Sequence, residues 1–139
     1  MTEPFDFSWM VGREIAVVQL SEPDQWVFGF EASVGIGAEC PWRILKNGVI
    51  AISSEDHKQQ YGLAAPLDAA EVAAEILASH AISQVEVREG TADLVIKFSG
   101  GLRLEVIPIS SGYESWGITA PSGYQVVAQG GGELSGWSK

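Results

Sequence analysis

The sequence predicts an α+β fold: a mainly antiparallel curved β-sheet or half-barrel, built of two similar meanders with one packed helix. A closed small β-barrel is the alternative. Three observations lead there. Apolar residues alternate with period two along most of the chain, the pattern of half-buried strands. A single segment, about 69–79, carries a helical stripe with a start signal. The stretch 26–48 also echoes the stretch 94–123. Trp26–Phe30 aligns with Leu94–Phe98, Val34–Ile36 with Leu102–Leu104, and Trp42–Ile44 with Trp116–Ile118. Each copy closes on a glycine turn, at Gly48 and Gly123. Duplication and chance similarity of two amphipathic meanders both explain such an echo.

Residues 1–10 read as an arm that packs down, because Phe5, Phe7, Trp9 and Met10 are bulky and apolar. Ile15, Val17 and Val18 start the first strand. Ser21–Asp24 is a turn, with Pro23 at a favoured position. Trp26, Phe28 and Phe30 alternate with Val27 and Gly29 in the second strand. Val34, Ile36 and Ala38 alternate with Gly35 and Gly37, where glycines on one face imply a bend or a close backbone approach. Trp42–Leu45 and Val49–Ile52 form a hairpin about Asn47-Gly48, since both residues tolerate positive φ.

The polar stretch 53–62 has no period and reads as a loop. Asp68 and Glu71 make a capping box for the helix, with Leu67 and Val72 as a staple. Ala69, Val72, Ala73, Ile76 and Leu77 form its buried stripe. His80 follows the last turn, where a cationic ring suits the helix dipole. Strands resume at Val85–Val87, Leu94–Phe98 and Leu102–Val106. Two more follow at Tyr113–Thr119 and Tyr124–Ala128, giving about eight or nine strands. Gly130–Gly132 opens a glycine-rich tail, 130–139.

At 139 residues the chain is the size of one domain, 1–139, and long enough for a sizeable core. Its net charge of −10 disfavours nucleic acid and anionic membrane surfaces as partners. It keeps the chain soluble and would also suit a basic partner. The lone Cys40 allows no internal disulfide. The acidic start lacks a signal-peptide pattern and no apolar run is long enough to span a bilayer, so a cytoplasmic location is expected.

Chemistry-bearing motifs are sparse. No phosphate loop, dinucleotide fingerprint or nucleophile elbow occurs. Two histidines and one cysteine do not make a zinc site, so neither metal nor cofactor is expected. Cys40 reads as a buried small hydrophobe; His57 would be its base only if the fold joined them. Glu39 and Glu114 occupy corresponding regions of the two meanders and are the paired carboxylates to consider. An Arg43–Glu114 salt bridge is the structural expectation for that pair of residues. Trp42 and Trp116 read first as core. The binding candidates are Arg43, Asp56, His57, Gln60, Tyr113, Glu114 and Trp116, because aromatics with Arg, Gln and carboxylates populate interfaces.

Several of these features resemble a family of small bacterial proteins of unknown function. They are Trp42-Arg43, Gly48, Asp56, Gln60 and Gly62, Tyr113-Glu114 with Trp116, and Gly130–Gly132 before Trp137. The resemblance spans about 12–137, supplies no catalytic residue, and by analogy points toward immunity proteins that neutralise a toxin. The first expectation is thus a non-enzymatic binding or immunity-type protein acting through an acidic, aromatic-bearing surface. The second is a small-molecule binder or enzyme with a pocket between the meanders, using Glu114 or His57 for protons and Arg43 for an anion. The third is a homo-oligomer joined by its edge strands. If there is a site, the inserted segment 108–115 and the loop 53–62 are where the two copies depart from each other.

Overall fold

A computed structural model of the chain describes residues 5–21 and 23–137. Residues 1–4 of the expected arm, Glu22 of the expected turn, and residues 138–139 of the expected tail lie outside the described residues. The strands are β1 (Ile15–Ser21), β2 (Gln25–Phe30), β3 (Gly35–Ala38), β4 (Trp42–Lys46), β5 (Val49–Ser53), β6 (Ile82–Val87), β7 (Leu94–Phe98), β8 (Leu102–Val106), β9 (Trp116–Thr119), β10 (Gln125–Ala128) and β11 (Leu134–Trp137). The helix, α1, is Ala69–Leu77. All named pairings are antiparallel.

The strands form two sheets, ordered β1-β2-β3-β9-β10-β11 and β5-β4-β8-β7-β6. The fold is the expected α+β one, mainly antiparallel strands with one packed helix; the strands are divided between two layers, and the alternative of a closed barrel is not what forms. The expected glycine-rich tail is a correction: after the turn at Gly130–Gly132 it becomes β11 and pairs with β10. That is one reason the described residues hold more strands than expected.

The inner faces meet through aromatic rings. The Trp42 ring, on β4, meets Trp26 and Phe28 of β2 edge-on at centroid distances of 5.1 Å each. Phe30 stacks on Phe98 at 6.4 Å. Edge-on and offset geometries suit the ring quadrupole, and each such buried ring contributes roughly 2–3 kcal/mol from area alone. The arm packs down as expected, with Phe7 and Met10 in the core.

Helix α1 closes one flank of the sandwich, packing along edge strand β1 and touching edge strand β5. Ala69, Ala73 and Leu77 are its fully buried stripe. Asp68 caps it by accepting from the Glu71 N–H at 3.2 Å. The reciprocal half of the expected capping box belongs elsewhere: Ser53 and Asp56 make a complete one at the 3-10 turn Ser54–Asp56. The helix stops at Leu77, short of the expected 79: Ala78 turns out of the helix at ψ 132 and Ser79 follows at φ 66. His80 bonds Ser99 Oγ through Nδ1 at 3.1 Å. No helix among the described residues is long and apolar enough to cross a membrane.

The two meanders of the sequence are two equivalent halves of the topology. β1–β5 place three strands in the six-stranded sheet and two in the other; β6–β10 do the reverse. Exchanging the halves turns β1-β2-β3-β9-β10 into β6-β7-β8-β4-β5, the order of the second sheet. Details repeat as well. β1 slips register between Ile15 and Val17, and β6 slips between Ile82 and Gln84. The β2–β3 turn has left-handed residues at Ala32 and Ser33, and the β7–β8 turn has them at Gly100 and Gly101.

Candidate functional site

The outer faces of the two sheets use the same positions for opposite ends. In the pairing register Gly37 stands opposite Gly117, and in the other half Glu105 stands opposite Arg43. Gly29 stands opposite Gly35, and in the other half Lys97 stands opposite Arg103. Four outward positions on the five-stranded sheet thus carry Lys97, Arg103, Glu105 and Arg43. Their counterparts on the six-stranded sheet are all glycine.

On the charged face the side chains knit together. Arg43 Nε donates to Glu105 Oε1 at 2.7 Å, and Arg103 donates to Oε2 at 3.4 Å. Lys97 pairs with Glu86 at 3.5 Å. Burial pushes the Glu105 carboxyl up, but the two guanidinium groups outweigh it and hold the carboxyl below its ordinary value. Leu45 and Val95 also lie on this outer face and are buried among these side chains.

On the glycine face the six described strands carry no Asp, Glu, Lys or Arg. A Cβ placed on Gly35 would meet nothing within 4 Å; one on Gly37 would meet only Gln25 Nε2, at 3.9 Å. The glycines therefore leave a trough of about 230 Å³, floored by Gly37 and Gly117 and flanked by Gln25 and Gln125. Of the two expectations for Gly35 and Gly37, a bend or a close backbone approach, no other backbone lies within reach of their Cβ positions: the space above them is open. Glu39 and Glu114 both line the trough. The Glu39 N–H donates to Ser115 O at 2.8 Å, which ties the two carboxylate-bearing segments together. Ser115 is buried, lines the trough, and its Oγ has no hydrogen-bond partner among the described residues.

The residues singled out in the sequence scatter. Arg43 pairs with Glu105, not with Glu114 as expected. Asp56 accepts from Ser53 N–H and from the Tyr61 hydroxyl at 2.9 Å each. His57 Nδ1 accepts from the Ala69 N–H at 3.1 Å, so in the neutral ring Nε2 carries the proton. Its ring also packs on Trp26 at 5.3 Å. Gln60 Nε2 donates to Leu63 O at 2.8 Å. Asp56, His57 and Gln60 are thereby engaged in folding the loop onto the helix start. Trp116 is core, its Nε1 donating to Ala92 O at 2.8 Å. Of these residues Glu114 and Trp116 line the trough, with Tyr113 exposed beside them. The space between the meanders is filled by the aromatic core, so Arg43, His57 and Glu114 do not converge on a pocket there.

Two further hollows among the described residues bear on these side chains. One of about 340 Å³ is shared by Cys40, His57 and Glu39. Burial pushes the Cys40 thiol up to about 12, far from the thiolate a nucleophile needs. The other, about 740 Å³, lies between the arm and the β9–β10 hairpin, where Arg13 stacks 5.9 Å from the Trp9 ring centre.

In the sequence Glu39 and Glu114 stand out as paired carboxylates and Gly37 only as a backbone feature; Gly117, Gln25 and Ser115 do not stand out. The signal was present in the echo itself, as Gly29 against Lys97, Gly35 against Arg103 and Gly117 against Arg43.

Among known proteins, the model of DUF6188, a family of unknown function, matches residues 7–138. No curated protein and no solved structure matches the chain.

Proposed function

The chain belongs to the DUF6188 family, and from that premise we propose a non-enzymatic binding protein that takes an extended, cation-bearing segment of a partner protein across its glycine face. The observation that carries this reading is the stripping of four corresponding positions to glycine on one sheet only, with Glu39 and Glu114 at the bared trough. Bare backbone lets an extended chain approach a sheet closely. The two carboxylates supply the counter-charge for a Lys or Arg of the partner. The net charge of −10 steers a basic partner toward the molecule as a whole. An immunity-type role, in which an acidic protein occupies the basic surface of a toxin, is one form such binding takes.

The test is amide NMR titration with short extended peptides of uncharged residues around one Lys or Arg. The reading expects shifts concentrated at Gly35, Gly37, Glu39 and Gly117, lost in Gly37→Glu/Gly117→Arg. Shifts spread over the loop 53–62 instead, or none at all, would discard it.

A further inference from the structure

The two halves also differ at a sheet edge, and this difference goes beyond the glycine face. After β10 the chain turns at Gly130–Gly132 and adds β11, which pairs from Gln125↔Trp137 to Ala128↔Leu134. After β5, its counterpart, the chain leaves through Ser54–Asp56 toward α1, and no described strand pairs with the free side of β5. The edge is apolar and open: Val49 is 69% and Ile50 55% exposed, and Ala51 is exposed as well. Other edges are managed more fully. Helix α1 packs along β1 and touches β5 only in part, leaving Val49–Ala51 exposed; β6 carries Glu86 tied to Lys97, and β11 is four residues long. β5 carries no charge, and the register slip at Ala51 is its one device of this kind.

We infer that β5 is the docking edge for a second copy of this chain, through antiparallel β5–β5 pairing about a two-fold axis near Ala51. Three features select a second copy. The equivalent edge, β10, is covered by an antiparallel strand of this same chain. The run Val49–Ile52 is uncharged, so it faces itself without like-charge repulsion, as an isologous contact requires. Antiparallel pairing also sets the Asn47–Gly48 turn of one copy beside Ser54–Asp56 of the other. Exposed Lys46 at one end then lies near exposed Glu55 at the opposite end of the other copy, twice over. The outcome is one continuous sheet of ten strands, five from each copy.

Sedimentation velocity on the full chain, from micromolar to millimolar concentration, tests this. A reversible dimer is expected, weakened about a hundredfold by Ile50→Lys, because lysine blunts strand edges. Circular dichroism checks that this variant stays folded. Lys46→Glu is expected to weaken the dimer about tenfold, because it sets a carboxylate against Glu55 of the other copy, and adding Glu55→Lys is expected to restore it. Monomer throughout overturns the inference. So does a dimer indifferent to Ile50→Lys, or a Lys46→Glu defect that Glu55→Lys does not repair.

Discussion

Lys97, Arg103, Glu105 and Arg43 on one sheet, and Gly29, Gly35, Gly37 and Gly117 on the other, occupy the same places in the same strand register. The inner faces of the two sheets solve one problem alike, with Trp42 and Trp116, Ile44 and Ile118, Phe30 and Phe98 all buried. The outer faces solve different ones. A charged lattice covers apolar stems and excludes other chains. A glycine lattice does neither, and each strand-interior glycine costs about 0.5–1 kcal/mol relative to alanine. Stability accounts for the first face. On the second, Val17 packs over Gly29, while Gly35, Gly37 and Gly117 leave room above the backbone that stability does not account for.

The largest expected effect comes from exchanging the faces. Arg43→Gly with Glu105→Gly removes two charge-assisted bonds and adds two strand glycines, for a loss of about 4 kcal/mol in urea unfolding. Gly37→Glu with Gly117→Arg has room for both side chains. It is expected to change stability by less than about 1 kcal/mol while abolishing peptide binding. Equal destabilisation by the two exchanges would break the comparison.

The paired tryptophans sharpen it. Trp116 Nε1 reaches Ala92 O, whereas Trp42 Nε1 is buried without a hydrogen-bond partner among the described residues. Both lose volume on replacement by Phe, but only Trp116→Phe also orphans an acceptor. Thermal and urea unfolding should place Trp116→Phe about 3 kcal/mol below the parent and Trp42→Phe about 1.5 kcal/mol below.

The paired turns come next. A Cβ on Gly100 would sit 2.6 Å from His80 Cε1, at a left-handed φ of 77. Gly100→Ala should therefore cost about 2 kcal/mol. Ala32 holds the corresponding left-handed conformation, φ 61, with a side chain that disfavours it. Ala32→Gly should stabilise by about 0.5–1 kcal/mol, read from the same unfolding curves.

The smallest effect is in pH. The folded Glu105 carboxyl is depressed, so its stabilisation is present above the unfolded carboxylate range and is lost as pH falls through the folded value. Glu105→Gln should flatten that acid limb of the stability profile and leave the neutral-to-basic limb parallel to the parent.

Much of the fold was legible because period-two alternation and the echo report directly on burial. Trp26–Phe30 and Leu94–Phe98 became strands β2 and β7 close to the expected bounds. The partition into two sheets was not legible, because strand order depends on long-range pairing such as β3 with β9 that no local pattern encodes. β11 hid because Leu134–Trp137 is short and follows three glycines. The site was harder still. Asp56, His57 and Gln60 look functional by residue type, yet their polar atoms satisfy a tight loop. The trough is made of glycines, which attract notice only when read against their charged counterparts.

The exchange of strands between the halves bears on how the chain reaches this structure. The first half lends β4 and β5 to the five-stranded sheet, and the second lends β9, β10 and β11 to the six-stranded one, as two hands with interlaced fingers. Neither residues 1–62 nor residues 63–139 complete a sheet alone: β4 needs β8, and β9 needs β3. Folding must therefore wait for contacts between distant parts of the chain, which favours slow, all-or-none assembly. A cut near Gly62, an exposed position in the connecting loop, would turn the molecule into two fragments that fold only by finding each other.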